Sequence, residues 1–238
     1  MNLFAEAFAW IFSDKAPYDP IATSLAVHLA LTAASVLVAA LIAIPAGWAI
    51  GHTGKARNIA VSISGAARAV PSFGLFILLV VLMGVIHYTA AALITFVLLA
   101  IPSILAGAYS GFEAIDRRVV DAARSVGMTE WQILWRVEVP LGLPLLVAGI
   151  RSAVLQVIAT VVIAAYVGLG GLGQYILAGL PLQRIDMVLG GAIVIAVVAL
   201  LIDLLFALLQ RLVVPRGVRP PKVSISRRQR LPLEGATS

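Results

Sequence analysis

Residues 113–144 read EAIDRRVVDAARSVGMTEWQILWRVEVPLGLP and form a polar stretch inside an otherwise apolar chain. Apolar segments long enough to cross a bilayer lie on both sides, so we expect this polar loop (residues 113–144) to lie outside the lipid. Hydrophobic residues make up 61% of the 238 residues and charged residues only 12%, whereas soluble domains carry about 25% charged residues. The sequence therefore predicts an all-α, polytopic membrane protein.

The polar loop carries the start and stop signals of two short helices. Asp116 is placed to cap the first helix and Gly127 to end it. Thr129 and Gln132 have the spacing of a capping box, which starts a second helix. Pro140 is expected to stop that second helix, because proline lacks the N–H that a helix interior needs.

About 20 consecutive apolar residues are needed to cross the hydrocarbon core of a bilayer. By that rule five transmembrane helices are predicted, at residues 24–50, 59–84, 88–112, 145–168 and 188–213. The polar loop then connects spans three and four. The chain divides into an N-terminal segment (1–20), a membrane domain (21–213) and a basic tail (214–238) that we expect to be disordered.

The basic residues are distributed unevenly about these spans. Of 17 lysines and arginines, 13 lie between spans one and two, in the polar loop, or in the last residues of span five and the tail after it. The positive-inside rule makes that side cytoplasmic, with the N-terminus outside and the C-terminus inside. The net charge of +6 is thus explained by the excess of basic residues on the cytoplasmic side, and we expect no nucleic-acid partner.

Two interpretations of residues 1–20 stay open. The segment has no basic n-region, so it is not predicted to be a cleavable signal peptide. Phe4, Phe8, Trp10 and Phe12 favour a helix lying on the outer membrane surface. A poorly ordered apolar leader is the alternative.

Signals of catalysis or cofactor binding are weak. Residues 168–173 match the G-x-G-x-x-G spacing, but that motif needs a strand before it, so we interpret them as a close-packed turn. Cysteine is absent, and the three histidines are too scattered to suggest a metal site. We therefore expect no catalytic residue, metal or cofactor on this chain.

Three charged residues lie well inside the predicted spans, where charge is costly. Arg68 and Arg151 lie within about two turns of the cytoplasmic boundary, so their side chains are expected to reach the interface or pair with the polar loop. The candidate partners are Glu113, Asp121 and Glu138. A structural, gating or coupling role is favoured over substrate contact. The role of Asp203 is left open.

Glycines and prolines interrupt the first three spans. The pairs Gly47/Gly51 and Gly107/Gly111 predict close helix contacts, because small residues four apart let helices approach. Freed backbone groups next to a proline are tolerated in a membrane where they face protein or water. We therefore expect Pro71, Ser72 and Phe73 to lie beside any path through the protein.

One motif in the polar loop resembles that of a known family. Asp121-Ala122-Ala123, three residues, Gly127, nine residues and then Val137-x-Val139-Pro140 resemble the cytoplasmic signature of binding-protein-dependent ABC importer permeases. The family has glutamate where this chain has Asp121. Residues 65–72 and the turn at 168–173 resemble the branch serving glycine betaine, choline, carnitine and proline betaine. Permeases for methionine share the glycine turn.

The resemblance implies a mechanism and a set of partners. Two permease subunits of a bacterial plasma membrane would line a path, and an extracytoplasmic binding protein would deliver the solute. Each polar loop would dock on a cytoplasmic ATPase dimer that holds the ATP and Mg. The implied coupling residues are Asp121, Ala122, Ala123, Gly127, Glu130 and Pro140. Arg136 and Glu138 are expected to help steer docking.

Other functions are kept as alternatives. The first is an ABC permease for another small solute such as methionine. The second is a stand-alone channel or ion-coupled carrier, although no inverted repeat or chain of buried acids is evident. An intramembrane enzyme is the third, but no nucleophile–base pair is present. Whether two copies pair with each other or with a similar chain is left open.

Overall fold

The computed structural model describes residues 2–15 and 17–213, without the side chains of residues 63, 67, 68 and 213. Every element in these ranges is helical, which confirms the all-α prediction. The helices are α1 (Leu3–Phe12), α2 (Ile21–Thr53), α3 (Arg57–Ala69), α4 (Ser72–Met83), α5 (Tyr88–Glu113), α6 (Arg117–Ser125), α7 (Glu130–Ile133), α8 (Val139–Val161), α9 (Gly173–Gly179) and α10 (Ile185–Val213). Short 3₁₀ turns occupy Val85–His87 and Val162–Val167. The predicted tail at 214–238 lies outside the described residues.

Four helical stretches are long and apolar enough to cross a membrane. They are Ile21–Thr53, Val85–Glu113, Glu130–Val167 and Ile185–Leu212. The second predicted span is not one helix: α3 ends at Ala69 and α4 starts at Ser72. The break arises because Pro71 disfavours the helical conformation of the residue before it, and Val70 is extended with ψ of 125°. The expectation of five uninterrupted spans was therefore wrong at this one span.

The core of the bundle is built by α2, α5 and α8, which cross at glycines and alanines. A Cβ built on Gly111 would lie 2.6 Å from the carbonyl oxygen of Gly142, and one on Gly47 would overlap Ala108. The buried side chains between the helices are mostly small, including Ala39, Ala43, Ala92, Ala100 and Ala153. The predicted close contacts of both glycine pairs are confirmed.

Widening one of these crossings is expected to destabilise the bundle. A Cβ on Gly149 would lie 2.7 Å from the carbonyl oxygen of Ser103 and 2.8 Å from Cα of Gly107, so valine there must push two backbones apart. Overpacking of this kind costs about 1–3 kcal/mol. We expect Gly149→Val to lower the free energy of unfolding in detergent by that amount. Gly65→Ala is the control, because a Cβ on Gly65 meets no atom within 4 Å; a loss as large there would contradict the packing argument.

The two ends of the bundle differ in character. At one end α1 and α9 pack together: Trp10 and Tyr175 have ring centroids 5.1 Å apart, and the Tyr175 hydroxyl donates to the Asp19 carbonyl at 2.6 Å. Residues 3–12 thus form a packed helix and not a poorly ordered leader. Its placement on a lipid surface stays a prediction. The polar loop lies at the other end, beside the junction of α2 and α3.

The glycine-rich segment at 168–173 is a close-packed turn, as expected. Gly168, Gly170 and Gly171 have φ between 73° and 81°, a region that favours glycine. A Cβ on Gly171 would lie 3.5 Å from the His28 ring, and one on Gly173 would overlap the Val162 carbonyl. The glycines of this segment are therefore explained by the backbone conformation and close packing of the turn.

Candidate functional site

The first helix of the polar loop is closed at both ends as the sequence predicts. Asp116 Oδ1 accepts a hydrogen bond from the Arg118 N–H at 2.9 Å. At the far end Gly127 has φ of 85°, its N–H donates to the Arg124 carbonyl at 2.9 Å, and the Met128 N–H donates to the Ala123 carbonyl at 3.2 Å. Together these two bonds form a Schellman motif, which only a residue tolerant of positive φ completes without strain.

The second helix begins as predicted but does not end where expected. Thr129 Oγ1 accepts from the Gln132 N–H at 3.3 Å, and Gln132 Oε1 accepts from the Thr129 N–H at 3.0 Å, which completes the capping box. The chain then passes through a π-helical turn, Leu134–Glu138, directly into α8. The prediction that Pro140 stops the helix was wrong, because the wider turn ahead of the proline relieves the clash and shifts the hydrogen bonding.

Arg124 joins the two short helices. Its Nε and Nη2 donate to the two carboxylate oxygens of Glu130 at 2.8 and 3.1 Å, and its Nη1 donates to Asp121 Oδ1 at 3.3 Å. Hydrogen bonding to Glu130 raises the pKa of Arg124 above its usual value. Two predicted coupling residues thus meet at an arginine that sequence reasoning did not single out. The three-residue spacing of Asp121 and Arg124 was the available signal.

The polar loop is also bound to the end of α2. His52 Nδ1 donates to Glu138 Oε2 at 2.5 Å, and His52 Nε2 lies 3.6 Å from Glu130 Oε2. Glu138 is only 6% exposed, so the expectation that it helps steer docking from the surface was wrong. Nothing in the sequence indicated this bond, because the two residues are 86 positions apart.

Removing the Glu138 carboxylate is expected to loosen this connection. Glu138→Ala leaves the buried side of His52 without its acceptor, which costs about 1–3 kcal/mol of unfolding free energy. Glu138→Gln keeps an oxygen in place and is expected to lose less than half as much. Thermal unfolding in detergent measures both variants. Equal losses for alanine and glutamine would contradict the hydrogen bond as the source of the stability.

The outer surface of the polar loop is exposed and carries both charged and apolar side chains. Five of the six predicted coupling residues lie on it: Asp121, Ala122, Gly127, Glu130 and Pro140. Ala123 is buried beneath the helix, so only one of the two alanines is available to a partner. Val126 is 78% and Trp131 69% exposed. A hollow of about 490 Å³ lies between the start of α7 and the end of α2, bordered by Trp48, Trp131 and Trp135.

The two charges inside α8 and α10 bind each other. Arg151 Nε and Nη2 donate to the two oxygens of Asp203, both at 2.6 Å. The expectation that Arg151 pairs with a polar-loop carboxylate was wrong, because its partner is Asp203. That its side chain lies near the membrane interface stays a prediction. Glu113, one of the proposed partners, is bound by Arg57 at 2.7 Å. The Arg68 side chain lies outside the described part of the chain.

The predicted path residues lie at the break between α3 and α4. Phe73 is 42% exposed, and its ring centroid lies 5.0 Å from that of Tyr166, which is 59% exposed. Tyr166 belongs to the 3₁₀ turn after α8. That Pro71, Ser72 and Phe73 line a path stays a prediction. Among the described residues, no group of three or more His, Cys, Asp or Glu side chains is arranged to hold a metal.

The chain is an all-helical membrane bundle with a capped helical loop between two of its spans. Residues 39–218 match the model of the family described as "Binding-protein-dependent transport system inner membrane component". The match covers well over half of the chain, and the chain belongs to this family. It is a multi-pass inner-membrane permease of an ATP-driven importer, not an enzyme, with ATP hydrolysis on a partner subunit. A channel, a carrier and an intramembrane enzyme are thereby set aside.

Curated relatives are 29–34% identical to this chain over most of their length. The osmoprotectant import permease protein OsmW of Salmonella typhimurium is 34% identical over 198 residues, which cover 81% of this chain and 91% of OsmW. The carnitine transport permease protein OpuCB of Listeria monocytogenes is 31% identical over 192 residues, 81% of this chain and 87% of OpuCB. The glycine betaine/carnitine/choline permease OpuCB of Bacillus subtilis is 29% identical, with 82% and 89% covered.

Solved structures share the fold. An inward-facing structure of the MetNI methionine ABC transporter contains a chain that superposes with a TM-score of 0.71 at 22% identity, covering 82% of this chain and 96% of that one. A chain of an amino acid ABC transporter crystallised with histidines superposes with a TM-score of 0.58 at 16% identity, covering 89% and 97%. At these identities the likeness establishes the bundle architecture only.

Proposed function

We propose that this permease imports osmoprotectants that carry a quaternary ammonium group, such as glycine betaine, choline, carnitine or proline betaine. The observation that carries the proposal is the likeness to osmoprotectant permeases of three bacteria at 29–34% identity over about four fifths of the chain. The chain of the methionine transporter is 22% identical to this one, which supports a shared fold but not methionine as the solute.

The polar loop is the proposed docking element for the ATPase. The caps fix the ends of its two helices, and Arg124 joins the helices to each other. The loop therefore moves as a unit. Exposed Ala122, Val126 and Trp131 offer apolar area to a partner groove, and buried apolar anchors supply most of the binding energy in interfaces.

The docked loop is connected to the membrane helices in two ways, and each connection can transmit its movement. The backbone of α7 continues through the π turn into α8, and the bond between His52 and Glu138 joins the loop to α2. Rotation of the loop by a closing ATPase dimer therefore tilts two helices of the core at once. The pair of Arg151 with Asp203 extends this coupling from α8 to α10.

The assembly we propose follows from the family. A dimer of ATPases holds ATP and Mg, a second permease (a copy of this chain or a similar one) completes the path, and an extracytoplasmic binding protein delivers the solute. The excess of basic residues beside the polar loop supports a cytoplasmic position for that end, with the N-terminus outside. Pro71, Ser72 and Phe73 are placed beside the path, and Arg68 remains a gating candidate.

Reconstitution tests this function directly. The chain, its ATPase and its binding protein are placed in liposomes loaded with ATP and Mg, and uptake of labelled glycine betaine, choline, carnitine and methionine is measured. We expect ATP-dependent uptake of at least one quaternary ammonium solute and none of methionine. Uptake of methionine alone would replace the osmoprotectant assignment with the methionine one.

A further inference from the structure

We propose that Phe73 and Tyr166 form a transient binding site for the quaternary ammonium group inside the membrane path. This aromatic pair (Phe73 and Tyr166) joins two parts of the chain that are 93 positions apart. The proposal rests on the proposed function, because it names where the positive headgroup of such a solute is held as it passes the permease.

The geometry of the aromatic pair suits a cation. The ring centroids lie 5.0 Å apart and the ring planes are inclined at 51°. Phe73 is 42% and Tyr166 59% exposed, so ring surface remains available to a ligand. Other aromatic side chains of the bundle are used for packing: Phe76 and Phe96 are fully buried.

The backbone beside each ring is irregular, which distinguishes this exposed surface from a lipid-facing one. Phe73 follows the break at Pro71, and Tyr166 precedes Gly168, whose φ of 78° ends the 3₁₀ turn. Irregular backbone at membrane depth is tolerated where it faces protein or a water-filled cavity. By contrast, Val81 and Leu82 are exposed on the regular part of α4, as lipid-facing residues are. The aromatic pair is therefore placed toward the path.

The chemistry of the solute matches this site. A quaternary ammonium has no N–H and so cannot donate a conventional hydrogen bond, whereas aromatic ring faces attract its positive charge. Asp203 does not compete for the cation, because Arg151 binds both of its oxygens. A site made of ring faces holds a cation weakly, and passage requires binding that is favourable enough to enter yet weak enough to leave.

The test uses the complete reconstituted transporter and measures solute taken up per ATP hydrolysed. Phe73→Leu and Tyr166→Leu keep an apolar side chain but remove the ring, and each is expected to lower this ratio for a quaternary ammonium solute about three- to tenfold. Tyr166→Phe keeps the ring and is expected to stay within about twofold of wild type. Phe206→Leu, on α10, is the matched control and is expected to leave the ratio unchanged. ATP hydrolysis stimulated by the binding protein is expected to persist in all four.

A second series removes the ambiguity of misfolding. Incorporating mono-, di- and trifluorinated phenylalanine at position 73 weakens the negative ring face with little change in shape. The uptake ratio is expected to fall stepwise with fluorination. A ratio that is unchanged across the leucine variants or the fluorinated series, in a transporter whose wild type imports quaternary ammonium solutes, overturns the aromatic site alone. A wild type that imports none overturns the proposed function and this inference with it.

Discussion

Gly127→Val is expected to abolish ATP-driven uptake while leaving the membrane bundle folded. Gly127 has φ of 85°, and a β-branched residue held there is strained by roughly 1–2 kcal/mol. A Cβ at this position meets no atom within 4 Å, so the effect arises from backbone conformation and not from a clash. Losing the Schellman motif frees the end of α6 and changes its angle to α7, so the docking surface no longer matches the ATPase.

The measurement for Gly127 is co-purification with the ATPase, together with uptake and thermal unfolding. Gly127→Asn is the matched control, because asparagine tolerates positive φ better than other residues do. We expect the transporter with the asparagine substitution to keep most of its uptake, and the transporter with the valine substitution to lose both uptake and the ATPase. Normal assembly and uptake with valine would show that the rigid turn is dispensable.

The second large effect is expected for the ion pair between α8 and α10. Asp203→Leu leaves the Arg151 guanidinium without its carboxylate inside the membrane domain, and Arg151→Leu leaves the carboxylate alone. An unpaired charge at that depth is costly. Each single variant is therefore expected to yield severalfold less folded, monodisperse transporter than wild type.

A double variant separates pairing from a direct role in transport. Arg151→Leu with Asp203→Leu removes both charges, so we expect the yield of folded protein to recover toward wild type, since replacing an ion pair held away from water by apolar residues is often neutral. Size-exclusion chromatography in detergent measures the yield. Recovery of folding together with lost uptake assigns the pair to coupling. A double variant as poorly folded as the singles would contradict the pairing argument.

Local chemistry made the polar loop predictable. The cap at Asp116, the turn at Gly127 and the box of Thr129 with Gln132 each depend on residues within a few positions of one another. The glycine pairs were predictable for the same reason, since four-residue spacing places both on one face of a helix. The prediction that Pro140 ends a helix failed because the sequence shows that proline lacks an N–H donor, but it does not show the π turn that accommodates the proline.

Contacts between residues far apart in the chain could not be predicted from the sequence. Arg151 with Asp203, His52 with Glu138 and the aromatic pair join residues 52, 86 and 93 positions apart. In the sequence, the role of Asp203 was left open, His52 was one of three scattered histidines, and Phe73 was expected beside the path without a named partner. The packing of α8 against α10 and against α2 brings the two charged pairs together.

Site-specific crosslinking tests the docking claim most directly. The chain has no cysteine, so Val126→Cys, at a position 78% exposed on the polar loop, provides a single thiol for a photoactivatable benzophenone. Leu182→Cys, at a position 58% exposed at the opposite end of the bundle, is the control. Illumination of the assembled transporter is predicted to join the ATPase to position 126 and not to position 182. No product at 126, or an ATPase product at 182, would contradict the account.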